Sequence, residues 1–365
     1  MKKRTYKQDR KRRAVLRLVI GLLTVALLAA AVLAVLNLKP VGTGEEVIEE
    51  AWKTPEYLRD KTMNILICGI DEDENRESQE MAMMTDVIMV CNLDLEADKA
   101  TLFQIPRDTY VGTDVVYYGK INGLYNWGRL DDENVKPGIG ALVSVINEDF
   151  ALPVDNYVMI TMEGFRKAID IMGGIEVTLD KDMVFNIKDE DEKVIGQVEL
   201  NKGVNVLDGV TADLFVRYRD YTNADIDRMN VQRYFLAALM SKVFSTPTSE
   251  LVSLVRAIFP YLETDFSVAE CISLALKVKD MSMDSVTMIR APGEGVNGYG
   301  ERKLSVFSVH KKELADMLNE YMRPYNDSVP ETELGAIEIQ NTYNVLDEQG
   351  VTLGEYTGTS ENEGD

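Results

Sequence analysis

The chain has 365 residues, 45% hydrophobic and 27% charged, a composition that excludes wholesale disorder and suits about two domains. Its 39 Lys and Arg against 61 Asp and Glu leave a net charge of -22, which argues against a nucleic-acid binder, because phosphate neutralisation needs a basic surface. With His310 the single histidine, a His-rich zinc site is not expected, and chemistry must rest on Asp, Glu, Arg, Lys or a hydroxyl.

The charge is uneven along the chain. The first 17 residues hold Lys2, Lys3, Arg4, Lys7, Arg10, Lys11, Arg12, Arg13 and Arg17, with Asp9 the one acid. The uncharged run LVIGLLTVALLAAAVLAVL follows, Leu18 to Leu36. About 20 apolar residues cross a bilayer as a helix, and the basic flank predicts a cytoplasmic N-terminus. A cleaved signal peptide has a shorter apolar region, roughly 7–15 residues, so the length favours an uncleaved anchor over 18–37. Everything beyond Asn37 is then extracellular. Residues 38–60 are mixed and acidic and read as a juxtamembrane spacer.

The fold proper begins with MNILICGI, Met63 to Ile70. TDVIMVCNL (Thr85 to Leu93) and ATLFQIP (Ala100 to Pro106) flank the turn-like DLEADK, so these two runs read as an antiparallel hairpin. Cys68 and Cys91 fall in the apolar runs and read as buried thiols; with Cys271 they are too few for a disulfide framework. Helices are predicted near Ile139 to Phe150 and Met162 to Met172, the second ended by Gly173-Gly174. Val154 to Ile160 and Ile175 to Leu179 read as strands. KDEDEK, Lys188 to Lys193, reads as an exposed hairpin tip. A helix opens after Leu207-Asp208-Gly209, and a long one runs from about Asp225 to Phe244 before Pro247.

Residues 61–245 are thus one candidate domain, 246–345 an extension of unknown role, and 346–365 an acidic tail predicted to be disordered. The extension contains a predicted strand near Val286 to Ile289 and a helix near Lys311 to Tyr321. Strands alternating with helices, one pair antiparallel, predict an α/β fold: an α-β-α sandwich around a mixed central sheet, with one N-terminal transmembrane helix.

The hairpin sets the start of its first strand beside the end of its second. Asp71, Thr85-Asp86 and Arg107-Asp108 then meet on one sheet edge. Converging carboxylates repel and call for a cation, and oxygen donors suit Mg²⁺ or Mn²⁺. The same residues also read as a rim of solvated acids with local Asp-Arg pairs. A second cluster is RYRD, where an extended chain sets Arg217 and Arg219 on one face. In DIDRMNVQR, Arg228 and Gln232 lie one turn apart in the first turns of a helix, where an anion is favoured. Guanidinium forks suit phosphate, although clustered arginines in so acidic a chain also serve to neutralise acids.

The order NILICGID, TDVIMV, QIPRDTYV, KING, VDNYV, GGIEV, LDG, RYRD and DIDRMNVQR resembles the LytR-CpsA-Psr family of Gram-positive envelope proteins, over roughly Met63 to Phe244. The resemblance implies transfer of a glycopolymer from a polyprenyl-pyrophosphate carrier to a peptidoglycan muramic acid hydroxyl. It implies Asp71 and Asp86 as ligands of Mg²⁺, with Arg107, Arg217, Arg219, Arg228 and Gln232 on the phosphates. Asp108 either orients its neighbours or ligates the metal. The polyprenyl tail needs an apolar tunnel, which the helices rich in Ile, Leu, Met and Phe are able to line or simply to fill as core. Phosphoryl transfer needs positioning and charge neutralisation above all, so arginines with a metal suffice without histidine.

Two positions depart from the family pattern. Met84 stands two residues before Asp86 where an arginine is usual, and Val231 stands before Gln232 where arginine is frequent. Arg76 and Arg233 are candidate substitutes. Two alternatives share these residues: a lipid pyrophosphate hydrolase, and a non-catalytic polyprenyl-phosphate-binding regulator. The expected partners are the lipid-linked glycan donor, the peptidoglycan acceptor and the membrane, with no nucleic acid.

Overall fold

The computed structural model describes residues 48–72, 83–179, 181–188, 194–217, 224–339 and 351–352. The expected anchor over 18–37 and the acidic tail lie outside these residues. Among the described residues no helix is long and apolar enough to cross a membrane.

Three strands form the centre: β1 (Thr62–Glu72), β2 (Met83–Asp94) and β3 (Lys99–Ile105). Both neighbouring pairs are antiparallel, as the short connection demands. Asp94 shapes the β2–β3 turn, its Oδ1 accepting from the Glu96 and Ala97 N–H groups at 3.1 and 2.8 Å. The chain then forms α1 (Leu124–Trp127) and α2 (Ile139–Phe150) and returns as β4 (Asn156–Thr161), parallel to β1. The hydroxyl of Thr161 caps α3 (Met162–Ile171) by accepting from the Gly164 N–H at 3.0 Å. Gly173 and Gly174 end that helix at φ 70° and 92°. A Cβ on Gly174 would lie 2.5 Å from Val206 and 2.8 Å from the Leu207 carbonyl oxygen.

Two small hairpin sheets follow. β5 (Ile175–Leu179) pairs with β8 (Gly203–Leu207), and β6 (Met183–Lys188) pairs with β7 (Val194–Leu200). The tip 189–193 lies outside the described residues. α4 (Gly209–Arg217) and α5 (Ala224–Ser245) cover these hairpins, with Phe185, Phe215 and Phe235 in contact across the joint core.

Beyond residue 245 run α6 (Thr248–Ile258), β9 (Leu262–Thr264), α7 (Val268–Lys279), β10 (Val286–Arg290), β11 (Gly293–Tyr299), β12 (Leu304–Val309), α8 (Lys311–Tyr321) and β13 (Val351–Thr352). The main sheet has the order β13-β10-β3-β2-β1-β4-β9. Residues set apart by sequence as an extension therefore supply strands on both sides of the β3-β2-β1-β4 centre. They join because β3 and β4 have open edges, and an unpaired strand edge needs partners for its backbone groups.

The sheet is buried on both faces. Along β1, Ile65 and Ile67 meet α3, α5, α6 and α7, while Leu66, Cys68 and Ile70 meet α2 and α8. Alternation at period two thus divides one strand between two cores, giving three layers. Cys68, Cys91 and Cys271 are buried free thiols, and burial pushes all three upward, Cys271 to about 12.

Candidate active site

The expected sheet edge exists, and its geometry begins with a bulge. The β1–β2 register runs Gly69 to Val87 and then Ile70 to Thr85, which leaves Asp86 as the extra residue. A bulge re-aims a side chain out of the ladder. Thr85 is buried and donates from Oγ1 to the Asn122 carbonyl at 3.2 Å, pinning one side of the bulge. The carboxylate of Asp86 is left half-exposed and accepts a hydrogen bond from Arg107.

Arg107 follows β3 after Pro106, in a turn closed by the Thr109 N–H and hydroxyl, which donate to the Pro106 carbonyl at 2.9 and 2.6 Å. Its Nε lies 3.7 Å from Asp108 Oδ2, and Lys120 donates to Asp108 Oδ1 at 2.7 Å. Asp86, Arg107, Asp108 and Lys120 form a continuous chain of alternating charge. Their side chains are 24 to 41% exposed, so each pair adds at most about 1 kcal/mol to stability. The chain is thus poorly placed as structural glue and well placed to meet a charged ligand.

The loop that carries these groups is held from two sides. On one, Asn122 N–H donates to the Arg107 carbonyl at 3.3 Å and Ile121 N–H to that of Thr109 at 3.0 Å. Gly119, at φ 66°, lets the Tyr110 ring close in; a Cβ there would lie 2.6 Å from it. On the other side, Phe307 N–H donates to the Asp108 carbonyl and Tyr110 N–H to the Phe307 carbonyl, both at 2.8 Å. Phe307 belongs to β12, far along the chain.

Asp71 lies near the end of β1, opposite Met84 across the ladder; its side chain is outside the described residues. Arg217 differs from expectation. It is the last residue of α4 rather than part of an extended RYRD, and it pairs with Asp213 one helical turn back, Nε to Oδ1 at 2.7 Å. The apolar period of GVTADLFVR carries the helix through Arg217. Arg166 of α3 approaches the same carboxylate at 3.6 Å. Arg219 and Arg76 lie outside the described residues. Arg228, Gln232 and Arg233 lie in the first half of α5, their side chains outside the described ones.

Two cations at this edge were given no role from sequence. Lys120 belongs to the KING motif, and that motif was the available signal. Arg290 ends β10, which runs parallel to β3 with Arg290 opposite Gln104, and its guanidinium stacks 5.0 Å above the Phe307 ring. Nothing local marks a strand end that reaches the site only through sheet pairing.

Among the described residues no three His, Cys, Asp or Glu gather as a ready metal cluster. Asp86 still presents a hard carboxylate beside the end of the strand that bears Asp71, and such oxygen donors fit Mg²⁺ or Mn²⁺.

The LytR_cpsA_psr family matches residues 37–323. The chain belongs to that family. Its LytR-CpsA-Psr relatives include the polyisoprenyl-teichoic acid–peptidoglycan teichoic acid transferase TagU of Oceanobacillus iheyensis, 28% identical over 251 residues, covering 66% of this chain and 71% of that protein. The cell wall biosynthesis protein LcpA of Corynebacterium glutamicum is 27% identical over 274 residues, covering 69% of this chain and 49% of LcpA, so the chain spans about half its length. The crystal structure of B. subtilis TagV superposes with a TM-score of 0.59 at 22% identity, covering 74% of this chain and 99% of that one, a likeness of fold. The mixed α/β fold read from sequence agrees with it. The expected phosphotransferase of the glycopolymer–peptidoglycan ligase type agrees with the relatives' names.

Proposed function

We propose that this LytR-CpsA-Psr protein transfers an anionic glycopolymer from a polyprenyl-pyrophosphate carrier to a muramic acid hydroxyl of peptidoglycan. The observation that carries this reading is the Asp86–Arg107–Asp108–Lys120 chain on the sheet edge. In the reaction, the acceptor hydroxyl oxygen forms a bond to the phosphorus that bears the glycan. The bond from that phosphorus to the bridging oxygen breaks, polyprenyl phosphate leaves, and the hydroxyl proton goes to solvent or a base. The product is a phosphodiester.

Arg107 and Lys120 lie where two phosphates bring negative charge. Asp86 and Asp108 hold these cations oriented in the free protein, so little reorganisation is needed when phosphate arrives. Arg217 from α4 and Arg228 and Gln232 from α5 would complete the phosphate clamp, together with Arg219. Asp71 and Asp86 would hold Mg²⁺, which supplies charge neutralisation at the pyrophosphate. The basic and apolar N-terminus would anchor the chain with its catalytic part outside the cell, facing both substrates.

The test uses the full chain in detergent micelles, a labelled polyprenyl-pyrophosphate glycan and purified peptidoglycan, with Mg²⁺ or a chelator. Label on peptidoglycan that depends on Mg²⁺ supports the transferase. Loss of substrate without that label points to a hydrolase, and tight binding without turnover to a regulator; either removes the reading.

A further inference from the structure

A cluster of aromatic rings flanks Lys120 in the chain, Tyr117 and Tyr118 before it and Trp127 after it. Tyr117 and Tyr118 meet edge to face with ring centroids 4.7 Å apart. Trp127 lies 5.5 Å from Tyr118 and 6.2 Å from Tyr117. The Trp127 ring rests on the backbone of the motif that carries Lys120: a Cβ on Gly123 would lie 2.6 Å from its Cζ3. Arg302, from the β11–β12 turn, stacks 4.7 Å above Tyr117 and also donates to the Tyr117 carbonyl.

Tyr118 and Trp127 are half-buried, with Trp127 packed against the core that α2 covers, and Tyr117 stands out from them into solvent. Tyr117 is 50% exposed, whereas Phe103, Phe150, Phe185 and Phe215 of the cores are almost wholly buried. An exposed aromatic ring backed by two half-buried ones at the edge of a polar site offers a binding surface. Tyrosine and tryptophan have an apolar ring with a polar tip. The C–H face of a pyranose packs on such a ring, and its hydroxyls pair with phenol groups and guanidinium.

Charge selects among saccharides. Around the ledge Asp114, Asp131, Asp132 and Glu133 are balanced by Lys120, Arg129, Lys136 and Arg302, with Arg129 paired to Asp131 and Glu148 at 2.7 Å each. A surface with balanced charge offers an anionic polymer no net attraction, and it suits a neutral sugar. We propose that Tyr117, Tyr118 and Trp127, with Arg302, form a saccharide-binding ledge that seats a neutral pyranose of the acceptor glycan strand. The identity of that strand rests on the transferase reading above; the ledge itself rests on the rings and their exposure. Seated there, the strand lies next to Lys120 and Asp108, where its hydroxyl meets the phosphate.

The test uses the full chain in detergent micelles and a soluble tetrasaccharide of alternating N-acetylglucosamine and N-acetylmuramic acid, the muramic carboxyls capped as amides so that the probe is neutral. Binding is followed by calorimetry and by tryptophan emission. The wild type is expected to bind with a change in emission that Trp127→Phe removes, leaving the Trp52 signal. Tyr117→Ala and Arg302→Ala, both at exposed side chains, are expected to weaken tetrasaccharide binding by about 5-fold or more. Their affinity for a polyprenyl pyrophosphate lacking sugar should stay within about 2-fold of wild type. No binding by the wild type at about 10 mM tetrasaccharide overturns the ledge, and so do variants that bind as wild type does. Variants that lose the anionic lipid-linked glycan but keep the tetrasaccharide overturn the assignment to the acceptor. A wild type that binds the tetrasaccharide through these residues yet transfers nothing keeps the ledge and removes the transferase reading.

Discussion

Phe307 grips the loop that bears Asp108: its N–H donates to the Asp108 carbonyl, and its own carbonyl accepts from the Tyr110 N–H, both at 2.8 Å. Close to 200 residues of chain separate the two sides of this bridge. The last third of the protein is therefore part of the site's frame.

Ending the chain at residue 245 should accordingly abolish folding. It removes β9 and β10 from the sheet, and with them much of both cores, including Leu254, Leu274, Leu314 and Leu318. Circular dichroism should show no cooperative thermal transition for the truncated chain; a sharp transition near that of the intact protein would contradict the integrated sheet.

Arg107→Ala should lower turnover by about 10²–10³-fold, the typical loss for one donor to developing charge, and Asp86→Ala, which removes the acceptor that orients Arg107, should lower it too. Both side chains are partly exposed and their pair adds at most about 1 kcal/mol, so the melting temperature should barely move. Parallel rate and melting measurements separate the two effects. Wild-type rates in both variants would place the site elsewhere.

Lys120→Met retains the length of the side chain and removes its charge. Asp108 then has Arg107, at 3.7 Å, as its nearer cation. Turnover should fall by about 10-fold or more, and raised ionic strength should slow the variant less than the wild type. An unchanged rate would make the Lys120–Asp108 pair structural.

Met84 faces Asp71 across the β1–β2 ladder and is half-buried at the same edge. Met84→Arg adds a guanidinium beside the bulge that frees Asp86. The initial rate of transfer should rise by about 10-fold if a phosphate contact is missing there. A lower rate would show that the site is complete with methionine.

Asp149, at the end of α2, has its carboxyl pushed up to about 7 by burial and by neighbouring Glu148, against Arg129 and Lys311, which lower it. Its ordinary value is 3.8, so between these pH values the folded chain holds a proton that the unfolded chain releases. The stability this group contributes is full below about pH 4 and is lost as pH rises through about 7. Asp149→Asn should match the wild type's melting temperature near pH 4 and exceed it by several degrees at pH 8. A constant difference across that range would exclude a titrating Asp149.

Much of the order of elements was legible in the sequence. Ile139–Phe150, Ile175–Leu179 and Lys311–Tyr321 are found as read, because apolar period and end signals are local properties. The short DLEADK turn required a hairpin, and the hairpin required Asp86 and Arg107 to share an edge. At RYRD the extended reading fails for Arg217, the last residue of α4, because four residues are too few to show a period.

From the sequence alone it follows that Arg107 and Asp108 come directly after an apolar strand and share an edge with Asp86, since apolar runs and turn lengths are local. Only the tertiary structure decided that Asp86 leaves the ladder at a bulge, that Lys120 reaches Asp108, and that Phe307 clamps the loop between them. Each of these depends on pairing register between segments distant in sequence, and register is settled by which cores and open edges can be satisfied together, a condition no local pattern expresses.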